Sequence, residues 1–187
     1  IKTNAEAFKM LPGMTDAGIE KLNRVHIYAI SELAGISVDD LMLRLKITQL
    51  EAETLITYAQ AVIVLLRRRT ELKKFISTHV ASRRGRVHSK VSAAFIGKGI
   101  TDVAGLAAAA KSEVMEAGLA EDEADTLLSE AKKVTNIAKM KEYGVPTITL
   151  KKYVAAGYED PQAFVAAHPA GLSLATGASV TTICKHQ

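Results

Sequence analysis

Cysteine is nearly absent from this chain of 187 residues, where Cys184 stands alone. A single thiol excludes an intrachain disulfide framework and fits a reducing compartment, so a cytoplasmic or nucleoid-associated location is expected. Tryptophan is missing, aromatic residues make up 5%, and prolines number four. No Val/Ile/Thr-rich alternating stretch runs beyond a few residues, which leaves little from which to build a sheet. The longest wholly apolar run, residues 61–66, is far below the roughly 18–20 residues of a membrane span, so a soluble chain without a membrane partner is expected. One cysteine and five scattered histidines offer no zinc spacing, and neither metal nor cofactor is expected. No secretory-type apolar segment leads the chain. Its opening on Ile1 and the short remainder after Gly177 read as a trimmed or partial chain.

What is present favours helix. Hydrophobic residues make up 48%, enough to argue against disorder, and Ala, Leu, Glu and Lys are plentiful. The strongest pattern is internal repetition. The corner Gly13-Met14-Thr15 opens an apolar-periodic helix; fourteen residues after its glycine comes the apolar set Ile27, Ile30 and Leu33, and thirty-three after it the corner Lys46-Ile47-Thr48. Gly144-Val145-Pro146 is followed at the same intervals by Tyr158, Pro161 and Phe164 and by Gly177-Ala178-Ser179. Counting back from Ile100, Val103 and Leu106 places a middle unit's first corner at Arg86-Val87-His88, with Gly118-Leu119-Ala120 thirty-two residues on. The expected organisation is therefore three units, 1–82, 83–139 and 140–187, the first ending in a long helix.

Local signals place the elements. Residues 1–10 read as an amphipathic lead-in ended by Pro12-Gly13. Thr15 or Asp16 caps a helix over 17–24, Ser31 opens a short one, and Ser37 caps 38–45. Thr48 with Glu51 forms a capping box for a long helix that keeps its apolar spacing to about residue 81. The stretch Ser82-Arg83-Arg84-Gly85-Arg86 breaks the pattern as a linker, and helix resumes over 89–96. Thr101 and Asp102 are the capping candidates for 103–110, and Glu121, Asp122 and Glu123 sit in the first turn of a helix reaching about 143, where the helix dipole favours carboxylates. In the last unit 147–156 is helical, Asp160-Pro161 begins a helix, and His168-Pro169 reads as a break.

The overall charge of +4 hides its distribution. Residues 67–90 hold nine basic side chains and one acidic one, whereas 1–66 hold six and eight, 91–133 four and eight, and 134–187 five and three. A basic stretch between folded units is a common device for gripping a nucleic-acid backbone. Arg67, Arg68, Lys74, Arg83, Arg84, Arg86 and Lys90 are the candidate contacts. Three successive arginines cannot share one helix face, so part of the run packs by its stems or faces solvent.

A glycine corner before a helix presents consecutive backbone N–H groups beside the positive end of the dipole, and both attract a phosphate. Leu11-Pro12-Gly13-Met14-Thr15 resembles the helix-hairpin-helix motif, apolar-Pro-Gly-apolar-Gly before a helix. That resemblance implies paired motifs in compact SAM-like five-helix units that hold the duplex backbone across the minor groove without reading bases. It also extends, by spacing, to the acidic repeats of a bacterial transcription elongation factor and to the N-terminal domain of archaeal recombinases, some relatives of which bind protein. On this reading Gly13, Met14, Thr15, Lys46 and Thr48 join the basic residues as nucleic-acid contacts. This chain departs from the motif where Thr15 replaces the second glycine, Lys46 and Arg86 replace first glycines, and Pro146 lacks an N–H.

Nothing in the sequence points to catalysis. DNA glycosylases of the resembled superfamily carry a catalytic lysine where this chain has Ala17, and no phosphate-binding loop or nucleophile–base spacing occurs. The expected function is sequence-independent binding of nucleic acid, duplex DNA first, by a chain that is not an enzyme. The alternative is a protein-interaction scaffold of the same fold, expected to self-associate through an exposed apolar patch over 180–187.

Overall fold

The computed structural model describes residues 4–80 and 85–187, and among them every regular element is an α-helix. Two compact units divide the chain, Ile1–Thr70 and Glu71–Gln187.

The first unit holds α1 (Ala5–Phe8), α2 (Asp16–Arg24), α3 (Ile30–Gly35), α4 (Val38–Leu45) and the first half of α5 (Gln49–His79). Side-chain oxygens begin α2 and α4: Thr15 Oγ1 accepts from the Gly18 N–H at 3.2 Å, and Ser37 Oγ from the Asp40 N–H at 3.2 Å. Each short helix sends one apolar stripe inward, so Phe8, Leu22, Leu33 and Leu41 are fully buried. Ala52, Ile56, Ala59 and Val62 give α5 an inward stripe at three- and four-residue steps, and its two alanines let the short helices approach closely.

Helix α5 is unbroken through the Arg run. Between Val62 and Leu72 it buries no residue. Leu72 and Ile76, with Val80 beyond the helix, belong to a second core instead. This is why the division falls at Thr70 and not at residue 82: the last turns of α5 pack with apolar residues later in the chain.

That second core is completed by α6 (Gly85–Gly97), α7 (Val103–Ala108), α8 (Lys111–Glu116) and the first half of α9 (Glu121–Glu142), through Phe95, Leu106, Val114 and Leu127. His88, buried on α6, donates from Nε2 to the Val80 carbonyl at 2.7 Å. A further core in the same unit gathers Met140 of α9, Tyr153 of α10 (Thr147–Ala155), Phe164 of α11 (Pro161–Ala166), Leu172 of α12 (Pro169–Thr176) and Ile183 of α13 (Val180–His186).

Two sequence expectations need correction and a third needs completing. Arg86-Val87-His88 is no corner, because all three residues lie in the first turns of α6. The helix expected over 103–110 stops at Ala108, and Lys111–Glu116 forms a separate helix whose start is held by Glu113 Oε2 accepting from the Ala110 N–H at 2.9 Å. The break read at His168-Pro169 is present between α11 and α12, but a further helix that the sequence reading missed begins there: Pro169 takes the first helical position, where its missing N–H costs nothing, and His168 Nδ1 accepts from the Ala170 N–H at 3.2 Å. Of the linker expected over 82–86, Gly85 and Arg86 lie instead in α6, and Ser82, Arg83 and Arg84 lie outside the described residues.

Candidate nucleic-acid interface

At the first corner Gly13 adopts φ 72°, a left-handed conformation that side chains other than glycine pay strain to reach. Among the described residues, the N–H groups of Gly13, Asp16 and Ala17 have no hydrogen-bond partner. They are the donors available to an anion there. The Met14 N–H is taken by the Leu11 carbonyl at 3.1 Å, and its side chain packs against the first core. Met14 is therefore a packing residue whose backbone is already engaged. Gly18 keeps that packing possible, since a Cβ at this position would lie 2.8 Å from Met14 Sδ. Asp16, in an ion pair with Lys9 at 3.0 Å, sets one carboxylate beside the corner.

The second corner is built differently. Lys46 is left-handed at φ 55° with no glycine to ease it, and its side chain is exposed. Thr48 follows, but Glu51 has claimed it: one carboxylate oxygen accepts from both the Thr48 N–H and the Thr48 hydroxyl at 2.8 Å. The Thr48 N–H, then its hydroxyl, holds the Glu51 carboxyl below the usual glutamate range. A phosphate at this corner has to displace an internal anion. The same device recurs where Glu32 accepts from the Ala29 N–H, Glu113 from Ala110 and Glu123 from Ala120. Helices α2, α10 and α13, opened by Thr15, Pro146 and Ser179, have no carboxylate three residues past the cap.

Lys46 and Thr48 stand at one end of α5 and the basic residues toward the other. From Thr48 to Arg67 the helix advances roughly 28 Å at about 1.5 Å per residue. The candidate residues thus form two separate groups. Arg67, Arg68, Lys73 and Lys74 are exposed on α5, Lys90 is exposed on α6, and Arg69 is half-buried with its Nε out of reach of solvent and of any partner. Among the described residues Arg67, Lys73, Lys74 and Lys90 make no ion pair. Arg83 and Arg84 lie outside the described residues, and of Arg86 only the helical backbone is described.

Between the two corners of the first unit lies a groove of about 490 Å³ that sequence reasoning missed. Met14, Ile47, Leu50, Leu55 and Tyr58 line it, with Lys21 and Glu51 among the charged residues on its walls. Leu50 is 74% exposed. Its signal in the sequence was the Leu50, Thr54, Tyr58 stripe at four-residue steps, off the inward stripe of α5. Among the described residues no group of three His, Cys, Asp or Glu side chains is placed to hold a metal ion, and no helix is long and apolar enough to cross a membrane. No protein-family model matches the chain, and neither a curated protein nor a solved structure matches it significantly.

Proposed function

We propose that the chain is a non-enzymatic, sequence-independent nucleic-acid-binding protein that grips the phosphate backbone, duplex DNA above all. The observation that carries this reading is the concentration of exposed basic side chains along α5 and on α6. Arg67, Arg68, Lys73, Lys74 and Lys90 are exposed, and Glu71 is the one carboxylate in that stretch of sequence. Arg67, Lys73, Lys74 and Lys90, which make no ion pair among the described residues, keep their full attraction for phosphate, and releasing the condensed counterions supplies the affinity. The Gly13 corner adds a neutral, directional contact through its backbone donors.

A tandem helix-hairpin-helix organisation is part of the proposal. The core residues Ile27, Leu33 and Leu41 recur 73 residues later as Ile100, Leu106 and Val114, and 58 later again as Tyr158, Phe164 and Leu172. Each set opens with one turn closure: the N–H of Ile27, Ile100 or Tyr158 donates at 2.9 Å to the carbonyl five residues back, after left-handed His26, Gly99 or Gly157. Identical closure at identical spacing supports a unit copied three times.

The test is anisotropy titration of a random-sequence duplex across a salt series. Replacing Arg67, Arg68 and Lys74 together by Gln is expected to weaken binding to all sequences alike and to flatten the salt slope by up to ~2.7, at about 0.9 per phosphate. Unchanged affinity and slope would falsify the reading. The groove between the corners favours a second reading, a protein-interaction scaffold. Under it Leu50→Glu abolishes capture of a helical peptide partner, while the basic triple variant has no effect on any binding.

A further inference from the structure

Helix α5 carries a second stripe, on the side away from the one it turns inward. Leu50, Thr54, Thr57, Ala61, Val64 and Arg68 follow alternating steps of four and three residues, the spacing of a coiled-coil seam. At about 100° per residue they fall within roughly 80° of arc, opposite Ala52, Ile56, Ala59 and Val62. All six are exposed, Val64 by 47%. They belong to one unbroken helix and to the first compact unit, so they share a face. From 54 to 66 there is no Asp, Glu, Lys or Arg. The two threonines donate within the helix, Thr54 Oγ1 to the Leu50 carbonyl at 2.7 Å and Thr57 Oγ1 to the Glu53 carbonyl at 2.8 Å. Covering the stripe therefore strands no hydroxyl proton.

We infer that this stripe pairs with the same stripe of a second copy of the chain, the two α5 helices running antiparallel about a two-fold axis. Charge selects both occupant and orientation. One edge of the stripe carries Glu53 and, fourteen residues on, Arg67. Two heptads separate them, so both hold the edge position that sets partner choice between paired helices. Both are exposed, and neither makes an ion pair among the described residues. Gln49 Nε2 donates to Glu53 Oε1 at 2.7 Å, a neutral contact that leaves the carboxylate's charge unbalanced. An antiparallel pair lays Glu53 of each copy beside Arg67 of the other, twice over. A parallel pair stacks Arg68 on Arg68 and leaves Glu53 without a cation. Near the axis the small Thr57 and Ala61 lie across from each other and let the helices come close, while toward each end Leu50 packs on the aliphatic stem of Arg68. A partner of other sequence has to carry this acidic-to-basic order in reverse; a second copy has it by symmetry. Of residues 180–187, where the sequence suggested a self-association patch, Val180 is the one exposed large apolar side chain. This inference is independent of nucleic-acid binding.

Sedimentation velocity on the intact chain over a concentration series tests it. The expected result is a reversible approach to twice the 20.0 kDa chain mass, weakened by about tenfold or more in Glu53→Arg and in Arg67→Glu, each of which sets like charges together. Mixing the two single variants, or combining both changes in one chain, is expected to restore association, because Arg again meets Glu at every edge contact. Ala61→Glu is expected to abolish it by doubling a charge close to the axis, with circular dichroism unchanged. A wild-type chain that stays monomeric throughout overturns the inference. So does association that ignores the single charge changes, or that mixing fails to restore. A monomer that sediments with anionic lipid vesicles, and stops doing so in Ala61→Glu, would assign the stripe to a lipid surface and overturn the inference as well. Glu53→Arg adds a cation, so duplex binding in the same samples is expected to persist while the dimer is lost. Failure of this inference and failure of the nucleic-acid reading are thereby told apart.

Discussion

Lys46 holds a backbone conformation that costs a side-chain-bearing residue about 1–2 kcal/mol relative to glycine, and its ammonium has no partner among the described residues. Strain kept at an exposed cation is a reason to look for a role there. Lys46→Gly is expected to leave the protein as stable or up to about 1 kcal/mol more stable, since relief of strain is offset by the freer unfolded chain. Duplex affinity should fall in the same variant; urea unfolding and anisotropy check the two effects separately. At Glu51 the folded carboxyl titrates below its unfolded value. Its contribution is therefore complete above the unfolded value and lost as pH falls through the lower, folded one. Amide exchange at Thr48 and at the first turn of α5 is expected to speed up across that acid window in the native protein. In Glu51→Gln exchange should already be fast at neutral pH, with no acid step. An exchange profile flat with pH in the native chain would show that the box contributes nothing.

Among elements, the helices that sequence signals placed best were those with a hydroxyl or carboxylate cap beside a periodic apolar face. The helix expected at 38–45 is Val38–Leu45, capped by Ser37. Those missed, α8 and α12, are six- and eight-residue helices with one buried side chain each, too short for a periodicity to show. Their starts rest on contacts that look like loop chemistry in a sequence: Glu113 reaching back to Ala110, and His168 before a proline. The Gly13 corner yields a prediction at this scale. Gly13→Val places a β-branched side chain at positive φ, so a loss of roughly 1 kcal/mol or more is expected in thermal unfolding. Duplex binding should weaken with its salt slope unchanged, because backbone donors carry no ionic charge. A slope that drops along with the affinity would place a charged contact at that corner.

For the whole molecule, the two compact units predict two calorimetric events. Leu33→Ala, fully buried in the first unit, should destabilise one transition by about 2–5 kcal/mol and leave the other in place, and Leu106→Ala should do the reverse. One transition shifted by both variants would show that α5 couples the units into a single cooperative block. By itself the sequence determined that the chain is helical, where the corners at Gly13, Lys46, Gly118, Gly144 and Gly177 fall and which stretch concentrates the basic charge. These are local matters: glycine and capping residues act within a turn, and charge is additive along the chain. Only the tertiary structure decided that the last turns of α5 leave the first core for the second, because that depends on which apolar stripes find partners. It also decided that Met14 is engaged in packing and Thr48 in a capping box, and that Lys46 and Thr48 stand far from the Arg run along one continuous helix. Availability of a donor and distance between charges are properties of packed neighbours, and a motif's spacing does not contain them.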